Sequence, residues 1–186
     1  PSRGLGDVYK IQLLYGLMLR SGNDAAVAIA EYISGDVDSF AALMNQEAAA
    51  MGATRSHFVN PNGLPDENHY TCVYDMYLIF SNAIKNDTFV SIIGTTSYDV
   101  TYTDASGEAV THTWENTNQY LTGNATTPDG FQIVGGKTGT TGEAGYCLVL
   151  YSYNPSGQPI ISIVFKADGK SNLYLLMNEM LQGFAI

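Results

Sequence analysis

The first half of the chain carries apolar residues at the three- and four-residue spacing of amphipathic helices. Asp7 is expected to cap the first helix, whose apolar stripe includes Leu14 and Leu17, and a polar segment at 21–24 interrupts it. A loop rich in Gly, Pro and Asn is expected at 57–69. Further helices are predicted over 25–33, from Asp36 or Asp38 to Gly52, from a Thr71 cap through Ile84, and over 89–93.

The second half changes to the alternating apolar and polar pattern of strands. Segments at 98–102 and 110–114 alternate on either side of an Ala-Ser-Gly turn, which predicts a hairpin. Further strands are predicted over 131–138, 146–153 and 159–166, and a last helix from about Asn172. This order predicts an α+β fold, in which a helical lobe over about 7–95 packs against an antiparallel sheet and C-terminal helix over about 96–186.

Composition excludes several classes of protein. The 186 residues are 45% hydrophobic and 14% charged, so the chain can bury a core and is not disordered. Eight Lys and Arg residues against 18 Asp and Glu give a net charge of −10, which disfavours nucleic-acid binding and a basic membrane-binding surface. No apolar run has the length of a membrane span, and the pattern of a signal peptide is absent.

The cysteines and histidines have ordinary structural explanations. Cys72 and Cys147 form no Cys-x-x-Cys pair, so two inert thiols are favoured. A disulfide between them stays open as the alternative. His57 and His69 bracket the glycine-rich loop without the spacing of a metal site. They are expected to anchor the loop by hydrogen bonds, although sequence alone leaves a Ser-His-Asp arrangement open.

Two short polar segments carry the candidate chemistry. Ser-Gly-Asn at 21–23, taken alone, indicates a helix cap. Gly-Gly-Lys-Thr-Gly-Thr-Thr-Gly at 135–142, taken alone, indicates a flexible turn with a solvated lysine. The second is not a phosphate-binding loop, because Phe131 stands where that motif needs glycine. Together, Ser-x-Asn and Lys-Thr-Gly are two of the three motifs of penicillin-binding proteins and class A β-lactamases.

The chain resembles the serine D-alanyl-D-alanine carboxypeptidases of low molecular mass, peptidase family S11. The resemblance runs over nearly the whole chain, in segments at 14–26, 57–64, 116–118, 136–141 and 144–148. It implies a β-lactamase and transpeptidase-like fold, removal of the terminal D-alanine from peptidoglycan stem peptides, and acylation by β-lactams. It implies no cofactor and no metal, and a location on the outer face of the bacterial cytoplasmic membrane or secretion.

One motif of the family is missing. Its nucleophile lies in Ser/Thr-x-x-Lys, but the residues three positions before the lysines of this chain are Asp7, Asn82, Val134, Ile163 and Ala167. The favoured expectation is an N-terminally truncated chain that lacks the first strands and the nucleophile helix and is inactive as it stands. The loss of that helix is expected to expose apolar surface or leave a void, and to promote self-association.

The resemblance assigns roles on both sides of a cleft. Ser21 would pass a proton to the departing D-alanine nitrogen, and Asn23 would orient the base and hold a substrate amide. Lys137 would supply a fixed positive charge for the terminal carboxylate, and Thr138 a hydroxyl to the same group.

The resemblance also implies roles for the two residues that follow Lys137 and Thr138. Gly139 would let the peptide lie against the strand, and the N–H of Thr140 would form half of the oxyanion hole. The alternatives are a non-catalytic protein that binds wall peptides and a β-lactamase of the same fold, for which Glu67 is the candidate to activate water.

Overall fold

The computed structural model describes residues 3–103 and 105–185 of the chain. Five helices precede the strands and one follows them, in the predicted order. The helices are α1 (Arg3–Arg20), α2 (Asn23–Ser34), α3 (Val37–Ala50), α4 (Val73–Ala83), α5 (Asp87–Ile93) and α6 (Lys170–Gln182). The strands are β1 (Ser97–Thr103), β2 (Ala109–Glu115), β3 (Gln132–Thr141), β4 (Gly145–Tyr153) and β5 (Pro159–Ala167). The predicted α+β class is confirmed.

Of the residues predicted to cap α1, α3 and α4, one does so in the structure and two do not. Asp36 caps α3 by accepting a hydrogen bond of 2.7 Å from the Ser39 N–H, so the first of the two alternatives holds. Asp7 is not a cap, since α1 already begins at Arg3. Thr71 is not a cap either, because α4 begins after Cys72 and the Thr71 hydroxyl lies 2.7 Å from that of Ser56.

The strands form two antiparallel sheets instead of one. The β1–β2 hairpin stands alone, while the second sheet has the order β3-β4-β5. The hairpin packs on α1, where the rings of Tyr15 and Tyr98 stack with centroids 4.0 Å apart and Trp114 lies against Gly16. Because of these aromatic contacts the hairpin packs on α1 and does not join the other sheet. The alternation of its residues predicted the two strands but not the surface on which they pack.

The three-stranded sheet lies between α6 and the helical lobe. On one face, Leu148 and Leu150 of β4 join a core cluster with Leu173 and Met177 of α6. On the other face, Val149 joins a cluster that includes residues of α4 and α5. Because successive strand residues point to opposite faces, this arrangement confirms that the last helix covers one face of an antiparallel sheet.

Two glycines bring β3 close to its neighbours. A Cβ on Gly136 would lie 2.3 Å from the Val149 carbonyl oxygen, and a Cβ on Gly135 would lie 2.6 Å from that of Ile93. The backbone of β3 therefore packs directly against the backbone of β4 and of the end of α5, with no room for a side chain between them. This close approach fixes the position of the next residue, Lys137.

An apolar groove of about 460 Å³ opens in the helical lobe. It is lined by Ile33, Phe40, Leu43, Met44, Glu47, Ala48, Met51, Phe58, Met76 and Ile79. The apolar surface expected from loss of the nucleophile helix, and the self-association expected to follow, both stay predictions. Within residues 3–103 and 105–185, no helix is long and apolar enough to cross a membrane.

Candidate active site

Ser21 occupies the junction between α1 and α2 in a strained backbone conformation. Its φ of 55° lies in the left-handed region, which side-chain-bearing residues rarely adopt. The cap of α2 is Gly22, and no side chain caps that helix, so the interpretation of Ser21 as a cap is wrong. Its hydroxyl instead accepts a hydrogen bond from Lys137 Nζ. The junction therefore turns Ser21 toward the sheet.

Lys137 lies on β3 and reaches the junction between α1 and α2. Its Nζ donates to Ser21 Oγ and, at 2.7 Å, to the Thr138 carbonyl oxygen. Within the described part of the chain, no carboxylate pairs with it. Burial lowers the pKa of Lys137 to about 8, because the charged form loses hydration without gaining an anionic partner. Burial thus brings the pKa of Lys137 closer to neutral pH than that of a free lysine, and its role as the cation for the terminal carboxylate stays a prediction.

A cleft of about 260 Å³ lies beside this contact. It is lined by Arg20, Ser21, Thr117, Thr138, Gly139, Thr140, Tyr146, Lys170, Leu173 and Tyr174. Four of the predicted site residues thus share one cleft, and Lys137 reaches its wall through Ser21. Because β3 is at the edge of its sheet, the backbone on the open side of Thr138, Gly139 and Thr140 is not paired with another strand of that sheet.

Asn23 is placed differently from the other predicted residues. It is the first residue of α2, its side chain is exposed, and it does not line the cleft. The described residues provide no hydrogen-bond partner for its amide. Its predicted role at the base and at the substrate amide stays a prediction.

Several cleft residues were not predicted. Thr117 lies 2.6 Å from Thr138, hydroxyl to hydroxyl, and ties the segment before β3 to the cleft wall. The Tyr174 hydroxyl accepts a 2.7 Å bond from the Gln119 N–H, and burial raises the pKa of Tyr174. The Asn-Thr-Asn segment could have indicated Thr117, and Arg20 adjoins Ser21 in sequence, whereas nothing in the sequence indicated Tyr174 or Lys170.

The histidines hold the loop at 57–69. His57 Nδ1 lies 2.5 Å from the Asn68 carbonyl oxygen, and His69 Nδ1 accepts a 3.2 Å bond from the Val59 N–H. Neither ring lines the cleft, so their expected anchoring role is confirmed. Cys72 and Cys147 are both free thiols. Among the residues that the structure describes, no group of His, Cys, Asp and Glu is arranged to hold a metal ion.

The sequence profile of the D-alanyl-D-alanine carboxypeptidase family, peptidase S11, matches residues 4–169. The chain belongs to this family. It is 34% identical over 171 residues to the D-alanyl-D-alanine carboxypeptidase DacF of Bacillus subtilis, covering 91% of this chain and 41% of that protein. It is 35% identical over 186 residues to the D-alanyl-D-alanine carboxypeptidase of Streptomyces strain K15, covering 94% and 60% respectively. The chain therefore spans roughly half the length of these family members.

Solved structures of this family share the fold. The Streptomyces K15 DD-transpeptidase superposes with a TM-score of 0.83 at 33% identity, over 95% of this chain and 68% of that one. A penicillin-binding protein homologue from Mycobacterium tuberculosis superposes with a TM-score of 0.79 at 28% identity, over 95% and 65%. The transpeptidase-like fold that the sequence motifs predicted is confirmed.

Proposed function

We propose that the protein is a serine-type carboxypeptidase that removes the terminal D-alanine from peptidoglycan stem peptides ending in D-Ala-D-Ala. These 186 residues would form the part of its cleft that binds the end of the peptide. The contact between Lys137 Nζ and Ser21 Oγ carries the proposal, because it joins the two recognised motifs at one cleft. Membership of the family supports it independently.

The edge of β3 suits an extended peptide. A peptide added beside an edge strand gains backbone hydrogen bonds, and Gly139 offers no side chain to obstruct it. The terminal carboxylate would then meet the ammonium group of Lys137 and the hydroxyl of Thr138. The N–H of Thr140 would donate to the oxyanion that forms at the scissile carbonyl.

Ser21 is suited to proton transfer to the leaving group. Its oxygen already accepts a hydrogen bond from Lys137, so its own proton is available to the D-alanine nitrogen as the C–N bond breaks. The attacking serine would give its proton to the base of the missing motif and form the ester as this bond breaks. That proton would pass to Ser21 and restore its hydroxyl, and water would then hydrolyse the ester to regenerate the serine. For Asn23, which begins α2 two residues after Ser21, we keep the roles of orienting the base and holding the substrate amide in the full enzyme.

The nucleophile is not found among these residues, since they contain no Ser/Thr-x-x-Lys. We propose that another part of the protein supplies it, and that β-lactams acylate it. We also place the enzyme on the outer face of the cytoplasmic membrane or outside the cell, where its substrate is located. A β-lactamase is less well supported, because none of the described residues lining the cleft is an Asp or Glu, and Glu67 is exposed on the loop at 57–69.

Penicillin acylation tests this function. Intact mass is measured after incubation with penicillin for these 186 residues and for the product of the full coding sequence that contains them. We expect a covalent adduct on the full product and none on the 186 residues. No adduct on the full product would favour the non-catalytic wall-peptide binder, and an adduct on the shorter chain would show that the nucleophile is wrongly placed.

The pKa of Lys137 sets a second expectation. Its folded pKa of about 8 is lowered from 10.5, so the ammonium charge is present below pH 8 and is lost as the pH rises through that value. We expect kcat/KM of the full enzyme for a D-Ala-D-Ala peptide to fall about tenfold per pH unit above pH 8, because kcat/KM follows groups of the free enzyme. The Lys137→Arg variant should move this fall to higher pH, and an unchanged alkaline limb in that variant would refute the assignment.

A further inference from the structure

Positive charge is concentrated at the cleft of an otherwise acidic protein. Three of the eight basic residues are found there: Arg20 and Lys170 line the cleft, and Lys137 contacts Ser21 in its wall. No acidic side chain of the described residues lines it. With 18 acidic and eight basic residues in the chain, composition alone would favour an acidic over a basic side chain in the lining. The cleft therefore has an excess of positive charge in the absence of any ligand.

Arg20 and Lys170 are also unpaired. Both side chains are exposed, and neither has a hydrogen bond or ion pair with the described residues. Arg20 lies in the last turn of α1, where the helix dipole favours a cation. Lys170 is the first residue of α6, where the dipole disfavours one. The helix dipole can therefore explain why a cation stands at Arg20, but it cannot explain why a second one stands at Lys170.

The proposed function leaves these charges without a role. A single terminal carboxylate is matched by Lys137 and Thr138, and a second cation next to Ser21 fits a second anion on the same ligand. The guanidinium group of Arg20 can bind a carboxylate through two parallel hydrogen bonds. Because Arg20 precedes Ser21 directly, an anion bound there would lie close to the proton-transfer group.

We propose that Arg20 forms a subsite for a second carboxylate, so that the cleft prefers peptides with a free side-chain carboxylate near the D-Ala-D-Ala end over their amidated counterparts. Lys170 adds to the field of this subsite. The inference rests on the proposed function and specifies its substrate class: dianionic stem peptides. Arg20 is thereby a specificity residue, and the acyl-transfer step itself does not depend on it.

The test compares two peptides on the full enzyme. Acetyl-Glu-D-Ala-D-Ala and acetyl-Gln-D-Ala-D-Ala differ only in the side-chain charge. At low ionic strength we expect the first to have a kcat/KM about three- to tenfold higher, and the ratio to shrink as salt is added. The Arg20→Gln variant should bring the ratio close to one, and Arg20→Lys should keep part of it. Lys85→Gln removes the same charge far along the chain, from a residue that does not line the cleft, and should leave the ratio unchanged.

Each result distinguishes the two proposals. Equal turnover of both peptides by the unmodified enzyme overturns the subsite and leaves the carboxypeptidase function standing. An equal loss on both peptides in Arg20→Gln also overturns it, since specificity would then be unaffected. If neither peptide is hydrolysed, the proposed function fails, and equilibrium binding of the same two peptides to the same variants decides whether the subsite exists.

Discussion

We expect the Lys137→Ala variant of the full enzyme to lose about 100-fold or more in kcat/KM for D-Ala-D-Ala peptides, because removing one preorganised polar group from an active site typically costs about 100- to 1000-fold in rate. Two functions would be lost together: the cation for the terminal carboxylate and the hydrogen bond that holds Ser21 Oγ. Steady-state hydrolysis measures the effect. Lys85→Ala, which changes an exposed lysine outside the cleft, is the matched control.

Stability should separate this loss from misfolding. Burial lowers the pKa of Lys137, which means that the folded state holds its charge at a cost below pH 8. Lys137→Met keeps most of the side-chain length without the charge, so its Tm at pH 7 should equal or exceed that of the unmodified protein while its activity falls. Near-normal turnover by Lys137→Ala would contradict the assigned role.

The second large effect concerns folding. We expect Gly136→Ala to lower the free energy of unfolding by about 3 kcal/mol or more, beyond an ordinary overpacking change. The added Cβ would lie 2.3 Å from the Val149 carbonyl oxygen and 3.2 Å from Leu150 Cα, both backbone atoms of β4. β4 cannot retreat, since Leu150 is fully buried in the core cluster with α6.

Urea unfolding of the two glycine variants provides the comparison. Gly142→Ala is the control, because a Cβ at Gly142 meets nothing within 4 Å and its backbone φ is not positive. That variant should unfold within about 0.5 kcal/mol of the unmodified protein. A Gly136→Ala protein as stable as Gly142→Ala would mean that β3 and β4 can separate without loss, against the register found here.

The sequence predicted those parts of the fold that depend on local pattern. The apolar run of β4 and the apolar stripe of α6 were sufficient to place both elements, because a strand buried on both faces and a helix buried on one face each leave a local pattern. Caps were predicted less well. Thr71 has the right chemistry for a cap, but its hydroxyl pairs with Ser56, fifteen positions away, and no local rule contains that contact.

The residues of the candidate site also fall into those that a local sequence pattern predicted and those that it did not. Ser21 and Lys137 were found because two motifs occur together, although each alone has an ordinary explanation. Lys170 and Tyr174 were not found, because they reach the cleft only once α6 has packed on the sheet. Residues brought together by packing between distant elements leave no periodic or spacing signal in a single sequence.

The contact between Ser21 and Lys137 joins positions 116 residues apart, and this separation has a consequence for synthesis. While the ribosome is still translating the strands, the helices carrying Ser21 have already left the exit tunnel, and a serine held at φ 55° has no ammonium partner to meet. Closing so long a loop is slow relative to forming local helices. The cleft is consequently among the last features to form, because it is incomplete until β3 has packed beside the junction of α1 and α2.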